Sequence, residues 1–519
     1  FINMYNILMK NFYRFIVPRL NADEIRKNFS HYLFLVRKGV AGFIVFGGKL
    51  EELREYIKKL QEEAELPLVI ASDLEQGLGQ QVKGGTLFPP AMALASAIRK
   101  SQEFNVQGSS PGLLGDVFKA FALEAGYAGI NTILAPVLDI NTNRRNPIIS
   151  VRAFGEDRDT VSFFGCGMIR TIQNHEIAAC GKHFPGHGDT KTDSHIMLPT
   201  IKKDLDHLRK NELQPFKKAM EARVRMIMLG HLSVPAIDPS GIPVSLSERA
   251  VKILREEMGY KGLLITDALN MGGLGGYSEE EAAFTALNAG VDIILHPTDP
   301  EKTASYLKGK SVFFDADRLE RFRRGLIGMP TPDRPDFDGH GRLSRKLAGE
   351  AIRTSGHFRI TGRPFLIILN DDDANDHSRN PVSRGEKPEG KNDDLFPPEK
   401  GRAFAERLKK YLPGLESRFV SHGSGSRGIT LPDKACVIVA IFCETKAWKG
   451  GASGWLHDKI ASLENSADLF VSFGSPYLLD DVSPRPTVAG RRSVAKIFAY
   501  WDAVPAQEAA AGLIAGGFS

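Results

Sequence analysis

A segment of fourteen residues, from Lys182 to His195, concentrates side chains that can transfer protons or bind a ligand. It reads Lys-His-Phe-Pro-Gly-His-Gly-Asp-Thr-Lys-Thr-Asp-Ser-His and follows an apolar, strand-like run at 177–180. Solvated loops also collect charge, but a charged loop at the end of a buried strand is typical of a pocket. Asp193 and His195 are two residues apart, so the carboxylate could orient the imidazole for general acid/base catalysis.

Asp267 is the second candidate for chemistry, because it ends the apolar run 262–266. A single carboxylate is costly to bury unless it has a partner or a chemical task. It could attack a carbon atom while the histidine supplies a proton. The alternative is that Asp267 only caps the helix that follows.

Eight apolar runs read as buried parallel strands, and they alternate with helix-length stretches such as 50–65 and 204–222. The runs lie at 15–17, 42–46, 68–72, 132–135, 178–180, 226–229, 263–266 and 292–295. This pattern predicts an α/β fold whose N-terminal part, residues 1–330, is a TIM-type (β/α)8 barrel. Active sites of such barrels lie at the carboxyl ends of the strands. The polar residues that follow the runs are Asp73, Glu75, Asp139, Lys182, His183, His231, Asp267 and His296.

The residues at these strand ends resemble motifs of glycoside hydrolase family 3, and within it those of the bacterial β-N-acetylglucosaminidases. The resemblance is carried by Ala135–Asp139, Asn146–Asp157, the segment Lys182–His195 and the strand end at Asp267, in the family's order. It covers roughly residues 12–300. The segment that ends in Asp-Ser-His is the most specific of these motifs.

The resemblance implies a role for each candidate. Asp267 would be the nucleophile, His195 the acid/base, and Asp193 its orienting partner. The side chains that would grip the sugar hydroxyls are Asp73, Arg152, Lys182 and His183, and His231 is a further candidate for substrate binding, although it is as compatible with a structural histidine. Two departures, Gln76 for the usual glycine and Ala153 for a common serine, replace none of these groups.

The implied reaction is retaining hydrolysis of a terminal β-linked N-acetylglucosamine, from cell-wall muropeptides or chitin, through a covalent glycosyl-aspartate. No metal and no cofactor are expected. After it has given up its proton, a histidine acid is neutral and does not repel an incoming anion. Phosphate could therefore replace water at the second step, and a β-N-acetylglucosaminide phosphorylase is the alternative on the same site.

Other classes of protein fit parts of the pattern. A metal-dependent barrel hydrolase could use imidazoles and carboxylates of the segment as ligands, although a Gly-rich loop is a poor scaffold for them. The proposed ligands would be His183, His187, Asp189, Asp193 and His195. A lyase or aldolase could form a Schiff base on Lys182. An inactive carbohydrate-binding protein is disfavoured because the expected catalytic side chains are all present.

The C-terminal part predicts a second, smaller unit. Residues 331–342 are rich in Pro, Gly and Asp and read as a linker. After it, a helical stretch at 343–353 precedes apolar runs at 365–369, 436–442 and 468–473, which alternate with further helical stretches, and this pattern predicts a smaller α/β sandwich in residues 343–519. This part is loosely similar to the second domain of two-domain family members.

Composition is that of a folded enzyme rather than a nucleic-acid or membrane protein. The 67 basic and 62 acidic residues nearly balance, which gives no case for nucleic acid, and no apolar run has membrane length. The four cysteines lack metal-ligand spacing and are expected to be buried free thiols. The N-terminal residues are too interrupted for a signal peptide, so a cytoplasmic location is expected, although the absence of an initiator Met leaves a removed signal open. The sequence gives no oligomeric state.

Overall fold

The computed structural model describes residues 11–100, 112–190, 197–312, 315–326, 333–371, 400–421, 429–443, 452–480, 482 and 494–518. All statements below concern these residues. They form two units, each with its own sheet and its own apolar core.

The first unit is built on short strands that are almost entirely buried. They are β1 (Ile16–Val17), β2 (Arg19–Asn21), β3 (Gly42–Phe46), β4 (Val69–Ser72), β5 (Thr132–Ile133), β6 (Ala178–Phe184), β7 (Met226–Leu229), β8 (Leu263–Thr266) and β9 (Ile294–Leu295). Strands β2 to β8 form a seven-stranded sheet in chain order, and all their pairings are parallel.

The remaining two strands close this sheet on itself. Only Pro18 separates β1 from β2, and β1 pairs in parallel with β9. At the other end of the sheet, the parallel bridge between Ile265 and Ile293 joins β8 to the segment that leads into β9. With β1 and β2 counted as one strand, eight strands form a barrel, and the predicted fold class is confirmed.

Helices cover the outside of the barrel because each presents an apolar stripe to the strands. They span Ile25–Lys38, Leu50–Glu63, Ala91–Lys100, Leu113–Ala128, Arg158–Asn174, Leu205–Lys210, Leu213–Glu221, Glu248–Lys252, Glu279–Ala289, Pro300–Leu307 and Ala316–Arg324. In the helix Leu50–Glu63, for example, Leu53, Ile57 and Leu60 are buried at helical spacing. The predicted helix 204–222 is two helices, since the backbone at Asn211 leaves the helical conformation.

A further helix, Phe337–Ala351, connects the two units. Its first residues, 337–342, lie in the predicted linker 331–342, where two glycines and nearby prolines favour irregular structure, and the rest coincides with the predicted helical stretch 343–353. Asp336 caps its first turn by accepting a hydrogen bond from the Gly339 amide at 2.8 Å. Apolar packing then stabilises it, because Leu347 and Ala351 belong to the barrel core.

The second unit is a six-stranded sheet covered by helices on both faces. Its strands are β10 (Arg353–Ser355), β11 (Arg363–Asn370), β12 (Glu416–Ser421), β13 (Ala435–Cys443), β14 (Leu469–Gly474) and β15 (Ala495–Phe498), in the order β10-β15-β14-β13-β11-β12. Only β10 runs antiparallel to its neighbour. The helices are Lys400–Tyr411, Gly454–Leu463 and Val504–Gly516. The predicted α/β sandwich is confirmed.

Two further expectations concern the whole chain. All four cysteines are buried thiols that form no disulfide, as the sequence predicted. Among the described residues, no helix combines the length and the apolar character that crossing a bilayer requires.

Candidate active site

Four charged side chains form one partly buried network at the carboxyl ends of β4 and β6. The Lys182 ammonium lies 2.6 Å from Asp73 Oδ1 and 2.7 Å from Glu75 Oε1. Arg152 binds the same Glu75 carboxylate through two parallel hydrogen bonds, each 2.8 Å long. Glu75 thus holds both cations in fixed positions beside Asp73, and each bond is charge-assisted.

The charges in this network stabilise one another against burial. Burial alone would raise the pKa of Glu75, but Arg152 and Lys182 hold it well below its ordinary value. Burial would lower the pKa of Lys182, but Asp73 and Glu75 raise it above its ordinary range. Lys182 is therefore a permanent cation at neutral pH, suited to fix a hydroxyl or an anionic oxygen and unsuited to act as a nucleophile.

Asp139, at the strand-end segment that follows β5, organises the start of the adjacent histidine loop, residues 183–190. Its carboxylate lies 2.8 Å from His183 Nδ1 and accepts hydrogen bonds from the backbone amides of His183 at 3.2 Å and His187 at 2.7 Å. Despite full burial, which would raise it, the pKa of Asp139 lies below its ordinary value because His183 is next to it. The carboxylate fixes the orientation of the His183 ring and leaves Nε2 free of this contact.

The histidine loop is held at its far end as well. His187 Nδ1 lies 2.7 Å from the Thr190 hydroxyl, and Asn146 donates to the His187 carbonyl at 2.8 Å. Burial lowers the pKa of His187 to about 4, so this imidazole is neutral at physiological pH. The predicted acid/base pair, Asp193 and His195, follows this anchored end but lies outside the described residues.

Asp267 directly follows β8, which is separated from β6 only by β7. Its backbone amide donates to the Leu229 carbonyl at 3.0 Å, and its Oδ1 accepts from the Ala268 amide at 2.9 Å. The residue is 7% exposed. A nearly buried carboxylate at a barrel strand end, with its backbone fixed by a neighbouring strand, is preorganised for reaction at one point in space.

His231 contacts the backbone that follows this strand end. It has no exposed surface, and its ring nitrogens lie 2.6 Å from the Ser245 hydroxyl and 3.1 Å from the Ala268 carbonyl. Ala268 is the residue that binds Asp267 Oδ1. These contacts hold the His231 ring against the backbone that follows the candidate nucleophile Asp267, and the predicted contact of His231 with substrate stays a prediction.

Comparison with known proteins identifies the family of the chain. Residues 18–312 match the model of the glycosyl hydrolase family 3 N terminal domain. The chain belongs to glycoside hydrolase family 3. It is 31% identical over 284 residues to beta-hexosaminidase A of Pseudoalteromonas piscicida, a match that covers 50% of this chain and 46% of that protein.

Two further proteins extend the comparison. The chain is 30% identical over 295 residues to the beta-hexosaminidase of Methylobacillus flagellatus, covering 55% of this chain and 81% of that protein. A solved family 3 beta-N-acetylglucosaminidase from Paenibacillus sp. str. FPU-7 has a TM-score of 0.74 at 24% identity, and the alignment covers 97% of this chain and 95% of that one. The sequence matches therefore span about half of this chain and less than half of the Pseudoalteromonas protein, and the structural match shows the same fold in both units.

Sequence reasoning brought Asp73, Arg152 and Lys182 to one site, but it assigned no role to Glu75. Glu75 had been noted only as a polar residue after a strand. The missing signal was its position two residues beyond Asp73, which allows both carboxylates to face one lysine. Asn146 and Thr190, which anchor the histidine loop, lie inside the quoted motifs but are uncharged, so they were not singled out.

The geometry also bears on the alternatives. An aldolase needs a neutral amine, whereas Lys182 is held between two carboxylates, so the Schiff-base hypothesis is disfavoured. Within the described ranges, no cluster of three or more His, Cys, Asp or Glu side chains is arranged to hold a metal ion. Two of the five ligands proposed for the metal hydrolase, Asp193 and His195, are outside those ranges.

Proposed function

We propose that this family 3 protein is a retaining β-N-acetylglucosaminidase, which releases a terminal β-linked N-acetylglucosamine from cell-wall or chitin fragments. The observation that carries the proposal is that Asp267 and the network of Asp73, Glu75, Arg152 and Lys182 lie at the carboxyl-end face of one barrel, with only β7 between the strand that leads to Asp267 and the strand that carries Lys182. The names of the relatives, beta-hexosaminidases, support the choice of sugar.

In the proposed first step, an Asp267 carboxylate oxygen attacks the anomeric carbon while His195 donates a proton to the departing glycosidic oxygen. Asp193 orients that imidazole and stabilises its charged form. This step cleaves the β-glycoside into a free aglycone and a glycosyl-aspartate. Water, activated by the now neutral His195, then displaces the sugar from Asp267.

The charged network acts on the sugar ring. Lys182 and Arg152 are fixed donors, and Asp73, whose side chain is 28% exposed, is the acceptor of the network with most access to a ligand. Donors and acceptors that are held in place before the substrate arrives do not need to reorganise during the reaction. His183, oriented by Asp139, can present Nε2 to a further hydroxyl.

The test is a panel of 4-nitrophenyl β-glycosides of N-acetylglucosamine, glucose and xylose, assayed with and without EDTA and with and without phosphate. We expect the N-acetylglucosaminide to be cleaved at least about tenfold faster than the other two, with EDTA having no effect. A preference for glucose or xylose would refute the substrate assignment. Loss of activity in EDTA with recovery in zinc would favour the metal hydrolase.

The phosphate arm separates the two acceptors. If water is the acceptor, the product is free N-acetylglucosamine in both buffers. If phosphate is the acceptor, phosphate accelerates turnover and the product is the sugar 1-phosphate, which mass spectrometry detects. The asparagine variant of Asp267 serves as the matched blank for contaminating activity.

A further inference from the structure

The second unit contacts the barrel loop that carries active-site residues. This barrel loop comprises residues 139–152, with Asp139 at its start and Arg152 at its end. The Tyr477 hydroxyl, which follows β14 in the second unit, accepts a hydrogen bond from Asn141 Nδ2 at 3.1 Å. Close by, Ser475 Oγ lies 3.3 Å from Ser150 Oγ. The two units are therefore joined at a loop whose two ends both belong to the candidate site.

Asn141 links this contact to Arg152 through Ser150. It is fully buried, and its Oδ1 accepts a hydrogen bond from the Ser150 amide at 3.1 Å. Ser150 has a φ of +39°, which a residue with a side chain adopts only when its surroundings impose it. Ser150 begins the short turn that ends at Arg152, the bidentate partner of Glu75.

The same loop supports the histidine loop. The Asn143 amide donates to the Gly188 carbonyl at 3.1 Å. Gly188 packs so closely on the loop that a Cβ atom there would lie 1.7 Å from the Ile140 carbonyl oxygen. A small shift of the loop near Asn141 would therefore be transmitted to the histidine loop as well as to Arg152.

We propose that Tyr477 is a positioning residue of the active site, which acts through Asn141 to hold Arg152 and the histidine loop in position. The inference rests on the proposed function, since it concerns the same site. Tyr477 touches no proposed reacting atom. It supplies, from the second unit, the acceptor for the hydrogen bond that Asn141 Nδ2 donates.

Two observations support a specific role for the hydroxyl. The Tyr477 hydroxyl contacts two elements of the barrel, because it lies 3.1 Å from Asn141 Nδ2 and 3.8 Å from the Sδ atom of Met92, on the helix Ala91–Lys100. Burial and Glu156 raise the pKa of Tyr477 above its ordinary value, so the hydroxyl keeps its proton across the working range of pH.

The units also adhere elsewhere, so loss of this hydroxyl should not separate them. Leu87 of the barrel packs in one apolar cluster with Trp501 and Ala503 of the second unit and Ala348 of the connecting helix. This cluster is independent of Tyr477. A change in activity on removal of the hydroxyl would therefore report on positioning rather than on docking.

The experiment compares Tyr477→Phe with Tyr411→Phe, which removes the hydroxyl of an exposed tyrosine in the same unit. In the full chain, Tyr477→Phe should lower kcat/KM for the aryl N-acetylglucosaminide about 3- to 10-fold, as expected for one buried hydrogen bond, with Tm nearly unchanged. Tyr411→Phe should match the wild type. A kcat/KM for Tyr477→Phe within twofold of the wild type would overturn the proposal.

A double mutant tests the route through Asn141. Asn141→Ser should lower kcat/KM at least about tenfold, because the Ser150 amide loses its partner. Adding Tyr477→Phe to that variant should cause no further loss. If the two losses multiply instead, Tyr477 acts by another route and the proposal is wrong.

Amide hydrogen exchange separates this proposal from the proposed function. In Tyr477→Phe, exchange should accelerate in peptides covering 141–152 and 183–190 and stay unchanged in the core of the barrel. If the wild type cleaves none of the glycosides but exchange changes in this pattern, the proposed function fails while the coupling stands. If the wild type is active and exchange in these peptides is unchanged, the positioning role is refuted.

Discussion

Glu75 offers the sharpest test of how the site is held together. Its carboxylate side chain is 9% exposed, accepts two charge-assisted hydrogen bonds from Arg152 at 2.8 Å and forms an ion pair with Lys182 at 2.7 Å. Breaking a buried ion pair by removing one partner costs about 3–5 kcal/mol. Because glutamine keeps one acceptor oxygen, we expect Glu75→Gln to lower the free energy of unfolding by about 3 kcal/mol. The free energy of unfolding of a domain is roughly 5–15 kcal/mol, so the variant should still fold.

The assay is urea unfolding followed by far-UV circular dichroism, together with kcat/KM on the aryl N-acetylglucosaminide. Activity should fall at least about tenfold, since both cations lose their shared anchor. Glu55→Gln is the matched control, because Glu55 forms an exposed ion pair with Lys59 and its loss should leave both measurements unchanged. If Glu75→Gln unfolds at the same urea concentration as Glu55→Gln, the network does not stabilise the barrel and the reasoning fails.

Three further predictions follow from the site and its surroundings. Asp267→Asn should reduce kcat by about 10³-fold or more, and a 2-fluoro sugar with a good leaving group should label Asp267, so a label found elsewhere by mass spectrometry would contradict the nucleophile assignment. His195→Ala should abolish cleavage of natural glycosides but damage activated aryl glycosides far less, with partial rescue by azide, and Asp193→Ala should show a milder form; equal losses on both substrates would place the acid elsewhere. Burial, and secondarily Arg19, lower the pKa of His296 to about 3. Below about pH 6.5 only the unfolded chain binds this proton, so the free energy of unfolding falls as the pH is lowered. The wild type should lose about 2 kcal/mol more than His296→Asn between pH 7 and 5, and asparagine tolerates the φ of +50° there; equal losses in urea unfolding would refute this.

The barrel could be predicted from the sequence because parallel strands that are buried on both faces appear as continuous apolar runs. Once the runs are aligned, their carboxyl ends share one face, and Asp73, Lys182 and Asp267 must lie near one another. Only the first turns of the helix Phe337–Ala351, which fall in the predicted linker, could not be predicted from local propensity, because they contain two glycines and the helix is stabilised by packing against the barrel core.

The supporting contacts of the site were beyond sequence reasoning for a different reason. Asn141 and Tyr477 are 336 residues apart and neither is charged, so nothing in the chain marks them as partners. His231 was recognised as a strand-end residue, but whether a ring points toward the substrate or into the protein depends on side-chain packing. Periodicity predicts which residues reach a strand end and does not predict the rotamer.

The connecting helix has a consequence for how the two units can be separated. Its residues Leu347 and Ala351 are buried in the barrel core, while Ala348 joins the cluster that includes Trp501. Ser344 donates to the Leu87 carbonyl of the barrel at 2.6 Å, and His340 lies 2.7 Å from the buried Glu124. By these contacts the helix is part of the barrel's architecture, although it follows the segment 18–312 that the family model covers. A genetic exchange that gave this barrel a different second unit would have to cut after residue 351. A cut near 330 would remove a helix whose buried side chains belong to the barrel core.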